Sequence, residues 1–339
     1  MPLIPSRTGH DMRIIYRLGF ALALSAAMLA VATSSARAQA FPGAKPVTLY
    51  VTFPAGGVTD ITMRTLAEHF KRITGQSMVI ENRPGGGSTV ALNALRQQKP
   101  DGYTLSVIGR GAMTTYWVQD GKIGFNPIEE FTYISGIAGS YFALVARADQ
   151  PYKTIAELVQ FARANPGKLT FGTIGHGQFT HQPMAEFLQL ASIDIRHVPF
   201  KGDTDTLNNV VGGHLELAVS GGSFQPFVES GRLRLLAFLT DKRVARFPEV
   251  PTFAEAGYPV QAAVVVGIGG PKGMDPQVVR YLDATFKRIT DDAEFRSTLD
   301  KMHQTTQYIA HDDFSAWAKR QFPIEREIVE KFNLRAPAK

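Results

Sequence analysis

The sequence predicts an α/β protein of two domains joined by a two-segment hinge, and three observations predict it. Short β-rich runs alternate with longer helical patterns, two glycine-flanked stretches join strand-like segments without a long helix, and roughly three hundred residues follow an N-terminal leader. Such alternation puts helices over mainly parallel sheets. Chains of that size bury more than one core and commonly divide.

Taken in order, residues 1–38 read as a cleavable signal peptide. Arg13 and Arg17 precede the apolar run Leu18 to Thr33, which ends in Ser34-Ser35-Ala36-Arg37-Ala38-Gln39-Ala40, the layout of a secretory leader. The run is about sixteen residues, short of the roughly twenty that a membrane-spanning helix needs. Cleavage after Ala38 or Ala40 and a periplasmic location are expected; an uncleaved anchor is the competing reading.

Strands are expected at Val47 to Phe53, Met78 to Glu81, Thr104 to Ile108, Phe142 to Ala146, Leu169 to Thr173, Ile195 to Val198, Leu217 to Ser220, Leu233 to Leu239 and Ala263 to Ile268. Thr59-Asp60 opens the first helix, whose apolar positions Ile61, Met63, Leu66, Ala67 and Phe70 recur at helical spacing, and Gly75 closes it. Thr154 caps a helix that runs through Ala164 and stops at Asn165-Pro166-Gly167. Further helices are expected from Pro276 to Thr290 and from Asp312 to Lys331. The stretches Tyr133 to Ala146 and Pro259 to Pro271 read as crossings between domains. They assign residues 41–140 and 263–339 to domain 1 and 141–262 to domain 2.

Composition excludes several functions. There is no cysteine, so disulfides and thiolate metal sites are out. The leader removes four arginines and one aspartate, which halves the formal charge of +6. No Lys/Arg cluster is interleaved with aromatics, so no nucleic-acid partner is expected. Neither a cofactor nor a metal is expected, and the chain is expected to be a monomer.

The most informative segment is Phe53-Pro54-Ala55-Gly56-Gly57-Val58-Thr59-Asp60, a strand end, a glycine turn and a helix start. The first N–H groups of a helix lack intrahelical partners and lie at the positive end of its dipole, so an anion gains there. Glycine lets backbone approach it without a Cβ in the way. Neither a P-loop ending nor a dinucleotide fingerprint is present; a plain turn with Thr59 or Asp60 as N-cap is the alternative. The same order recurs at Thr173-Ile174-Gly175-His176-Gly177-Gln178-Phe179-Thr180-His181. If the two loops face each other from opposite domains, they suit a carboxylate, with Thr59, Thr173 and Thr180 as hydroxyl donors and Phe53 and Phe179 as apolar walls. His176 and His181 lack further ligands at fixed spacing, which favours capping or packing over metal binding. Arg110, after the strand at 104–108, can clamp a second carboxylate or form a salt bridge between domains. Ser220 begins another turn that either lines the cleft or is only structural.

Phe-Pro-Ala-Gly-Gly-Val-Thr-Asp at 53–60, Glu-Asn-Arg-Pro-Gly-Gly-Gly at 81–87 and Pro-Asp-Gly-Tyr-Thr-Leu at 100–105 resemble the tripartite tricarboxylate transporter substrate-binding family, the Bug or TctC proteins. Ala-Asn-Pro-Gly-Lys-Leu at 164–169, His-Val-Pro-Phe-Lys-Gly at 197–202 and Phe-Pro-Glu-Val-Pro-Thr-Phe-Ala-Glu-Ala-Gly at 247–257 are similar to later landmarks of that family. The resemblance spans almost the whole mature chain. It implies a periplasmic binding protein-like Venus flytrap in which the loops at 54–60 and 173–181 grip a ligand carboxylate, partly through water. It also implies delivery to integral membrane transporter subunits; some members serve sensing systems instead. Ile174, His176, Gln178 and Phe179 depart from the small polar residues usual in that loop and imply a larger, more aromatic wall. An enzyme is not expected: Gly-x-Ser-x-Gly is absent, and no Ser/His/Asp order suggests itself for Ser220 or Ser223.

Overall fold

The computed structural model describes residues 41–43, 45–262, 264–302 and 304–336. The expected leader and its cleavage sites lie outside the described residues. From the first lobe the chain lays down β1 (Val47–Val51), β2 (Met78–Asn82), β3 (Thr104–Ile108) and β4 (Phe131–Ser140). It then crosses to lay down β5 (Ala143–Arg147), β6 (Thr170–Thr173), β7 (Arg196–Pro199), β8 (Leu217–Ser220) and β9 (Leu233–Phe238). It returns for β10 (Val264–Pro271) and β11 (Gln304–Ile309). The first lobe holds a six-stranded sheet ordered β11-β4-β10-β3-β1-β2; the second holds a five-stranded sheet ordered β7-β6-β8-β5-β9.

The sheets are mixed rather than parallel. Pairing is parallel for β1 with β2 and β3, and for β6 with β7 and β8. β10 runs antiparallel to β3 and β4, β11 to β4, and β5 to β8 and β9. The connection from β4 to β5 is only Tyr141-Phe142.

The helices are α1 (Val58–Thr74), α2 (Thr89–Leu95), α3 (Arg110–Val118), α4 (Ile155–Ala164), α5 (Gln182–Ala191), α6 (Asp203–Val211), α7 (Gln225–Glu229), α8 (Pro276–Asp291), α9 (Ala293–Lys301) and α10 (His311–Lys331). On α1 the buried face is Met63, Leu66, Ala67 and Phe70, and Phe70 meets Phe286 of α8 at a ring distance of 6.2 Å. Ile61, expected on that face, is 42% exposed. Gly75 ends α1 in the left-handed region, at φ 74°, where glycine costs least. The Thr154 hydroxyl accepts the Glu157 N–H, as a cap should.

Sequence reading missed α3, because Gly109-Arg110-Gly111 reads as loop. Burial of Ala112, Met113 and Thr114 holds it, tertiary packing overriding weak propensity. Each lobe has its own core, around Leu92, Ile108, Phe131 and Phe314 in the first and Val145, Leu207, Phe224 and Phe238 in the second. Among the described residues no helix is long and apolar enough to cross a membrane.

Candidate functional site

β1 stops at Val51, two residues before its expected end, and the chain turns through Thr52 to Gly57 into α1. Gly56 sits at φ 77°, a conformation that a Cβ disfavours. Its N–H donates to Asp60 Oδ2 at 2.9 Å, and Asn82 Nδ2 donates to Asp60 Oδ1 at 2.8 Å. Arg64 Nε adds a third bond at 3.0 Å. Burial alone would raise the Asp60 carboxyl, but these donors outweigh it and hold the group below the usual carboxylate range. Asp60 therefore closes the loop on itself. Gly57 becomes the N-cap.

Between the two sheets lies an inner cavity of about 80 Å³, and three helices start on its wall. Gly57, Val58 and Thr59 open α1; Gly109, Arg110 and Gly111 open α3; Asp203 and Thr204 open α6. The first N–H groups of each have no acceptor behind them within the helix. Two of these helices belong to the first lobe and α6 to the second, so positive dipole ends meet from both sides. The lobes touch beside them: a Cβ on Gly202 would lie 2.9 Å from the Pro54 ring. Most of the remaining wall is apolar, including Val107, Phe142, Phe179 and Val265.

The second expected loop behaves differently. Its helix, α5, begins only at Gln182, followed by Pro183, and local turns absorb the glycine-loop amides. Ile174 N–H goes to Thr180 Oγ1, Gly175 N–H to Thr173 Oγ1, Gly177 N–H to His181 Nδ1 and Gln178 N–H to the Gly175 carbonyl. The loop contributes side chains instead. Ile174 and Phe179 line the inner cavity as well as an outer one of about 830 Å³, which Gly175, His176 and Gln178 also line.

Of the residues singled out by sequence, Phe53, Gly57, Thr59, Arg110 and Phe179 thus line the inner cavity. Ala55, Gly56, Asp60, Thr173, Thr180 and Ser220 line neither. Thr173 Oγ1 bonds His197 Nε2 at 2.7 Å, and Ser220 Oγ donates to Asp203 Oδ2 at 2.9 Å. Arg110 forms a salt bridge: its Nε donates to Glu325 Oε1 at 2.5 Å and its Nη2 to Gln182 Oε1 at 2.9 Å. Gln182 lies on α5 and Glu325 on α10, so the pair ties one lobe to the other. Gln178 Nε2 adds a second tie to Thr115 Oγ1 at 2.7 Å.

Sequence reasoning missed Asp203 and Thr204. The preceding landmark Pro199-Phe200-Lys201-Gly202 was visible, but its glycine was not read as an N-cap. Burial pushes the Asp203 carboxyl up. Also missed was His197, which joins His176 and His181 so that one nitrogen from each lies within 4.8 Å of the others. His181 and His197 stack at 3.7 Å and 11°, and Phe171 lies 5.0 Å from His197. One nitrogen of each stacked ring is already hydrogen-bonded. Burial first, then the neighbouring imidazoles, lower His181 to about 2 and His197 to about 4.

The sequence profile of the tripartite tricarboxylate transporter family receptor, TctC, matches residues 62–334. The chain belongs to this family. Among curated relatives of this TctC chain, a Cupriavidus necator protein, described as a UPF0065 protein in the gbd 5' region, is 36% identical over 94% of this chain and 97% of its own length. The protein BugT of Bordetella pertussis is 30% identical over 73% of this chain and 76% of its own. Among solved structures, the periplasmic binding protein BugD has a TM-score of 0.81 at 25% identity, covering 86% of this chain and 99% of that one. An R. palustris protein solved with adipate has a TM-score of 0.81 at 26% identity, covering 87% and 99%. The TctC chain therefore has the two-domain, Venus-flytrap fold of periplasmic binding proteins.

Proposed function

We propose that this TctC receptor is a periplasmic solute-binding protein that captures a small carboxylate between its lobes and passes it, unaltered, to integral membrane transporter subunits. The observation that carries the reading is the meeting of three helix starts, α1, α3 and α6, on one cavity wall. A carboxylate there accepts backbone N–H bonds at the positive ends of three dipoles, in surroundings of low dielectric. The solved relatives bound to adipate and to malate support a carboxylate ligand. We assign residues 41–140 and 263–339 to one domain and 141–262 to the other, with closure about the crossings near Tyr141 and Val264.

Gly202 and Pro54 are the near-contact that such closure brings together. Calorimetric titration against a panel of carboxylates, followed by recovery of the ligand, tests the proposal. Saturable binding with the ligand recovered intact is expected. Turnover of the ligand, or equal binding of uncharged amides, would overturn it.

A further inference from the structure

We infer that the ligand carries a single carboxylate on an apolar, uncharged body, and that a second carboxylate is selected against. The inference rests on the reading above that a carboxylate is held at the helix starts, and it names what the rest of the cavity accepts. Two observations carry it.

The first is the wall itself. Away from the helix starts the cavity presents mainly apolar side chains, among them Val107, Ile108, Phe142, Phe179 and Val265, with hydroxyls from Thr52, Ser88 and Ser140. A second ionised group pressed against these apolar side chains loses its hydration without replacement, a cost that grows steeply when no partner is supplied. An apolar body gains there, at roughly 25 cal/mol for each Å² removed from water.

The second is Arg110, the one cationic side chain among the described residues lining this cavity. Its guanidinium is committed to Glu325, which is fully buried and whose Oε2 already accepts from Thr114 and Gln182. Turning Arg110 toward a ligand would strand a buried carboxylate, so its charge is not on offer. A second ligand carboxylate pressed against this wall would therefore meet no uncommitted cationic side chain among the described residues.

Matched pairs that differ only at the far end test this. Hexanoate against adipate, and benzoate against terephthalate, are titrated calorimetrically into the full mature chain, with hexanamide and benzamide as uncharged controls. Binding of the monocarboxylate at least tenfold tighter than its dicarboxylate partner is expected in each pair that binds. Dicarboxylates binding as tightly or more tightly, with the amides silent, would overturn the inference and leave carboxylate capture standing. Amides binding as well as the acids, or no acid binding at all, would overturn carboxylate capture itself and the inference with it.

Discussion

Glu325 has no exposed surface, yet it accepts from Arg110, Gln182, Thr114 and Gln321. Burial alone would raise its carboxyl, but the charge of Arg110 and the hydrogen bonds hold it below the usual range. Glu325→Ala leaves the guanidinium of Arg110 buried without its counter-charge, an arrangement that costs on the order of 3–5 kcal/mol. Urea denaturation is expected to show that loss as a lower midpoint at an unchanged slope. A second residue-level prediction concerns the stacked imidazoles. His181 and His197 are depressed from 6.5 to about 2 and about 4, so below pH about 6.5 the unfolded chain takes up protons that the folded one refuses. Stability is therefore present above that pH and is lost as pH falls through the window between 6.5 and the folded values. Between pH 7 and 5 the loss is about 2 kcal/mol for a ring that stays neutral. His181→Gln is expected to flatten that slope when unfolding is followed at both pH values, and an unaltered slope would contradict the assignment.

At the scale of elements, the join between α6 and the first loop sets how closely the lobes approach. Gly202 has extended backbone, at φ −170°, so any residue can adopt its conformation, and only the Pro54 ring limits it. Gly202→Val is expected to weaken carboxylate binding at least tenfold, whereas Gly202→Ser, which keeps a favourable cap, is expected to weaken it less, as calorimetric titration of both variants will show. The first loop was legible in sequence because Gly56-Gly57 follows a β-rich run and precedes a helical period. Its misreading was local: Asp60 looked like a cap, and only the fold brings Asn82 beside it. The second loop was misread because two glycines suggested free amides, whereas Thr173, Thr180 and His181 sit at spacings that let their own side chains consume them. α3 and α6 were missed as anion-facing starts because glycine at 109, 111 and 202 lowers helix propensity, and only tertiary burial reveals the helices.

For the whole molecule, the two-lobed α/β plan was readable from short β-rich runs alternating with longer helical patterns. The antiparallel course of β10 and β11 was not, since pairing direction depends on which lobe a strand returns to. In a flytrap a ligand that binds only the folded, two-lobed form stabilises it by mass action, by about 2.7 kcal/mol at a hundred times its dissociation constant. The claim on which the account turns is that main-chain amides at three helix starts hold the carboxylate. The most direct measurement is a two-dimensional amide NMR titration of the ¹⁵N-labelled protein with whichever panel carboxylate binds. The account predicts that the amides of Thr59, Gly111 and Thr204 move furthest downfield as the signal saturates. Saturation that leaves those three amides in place while others shift would contradict it.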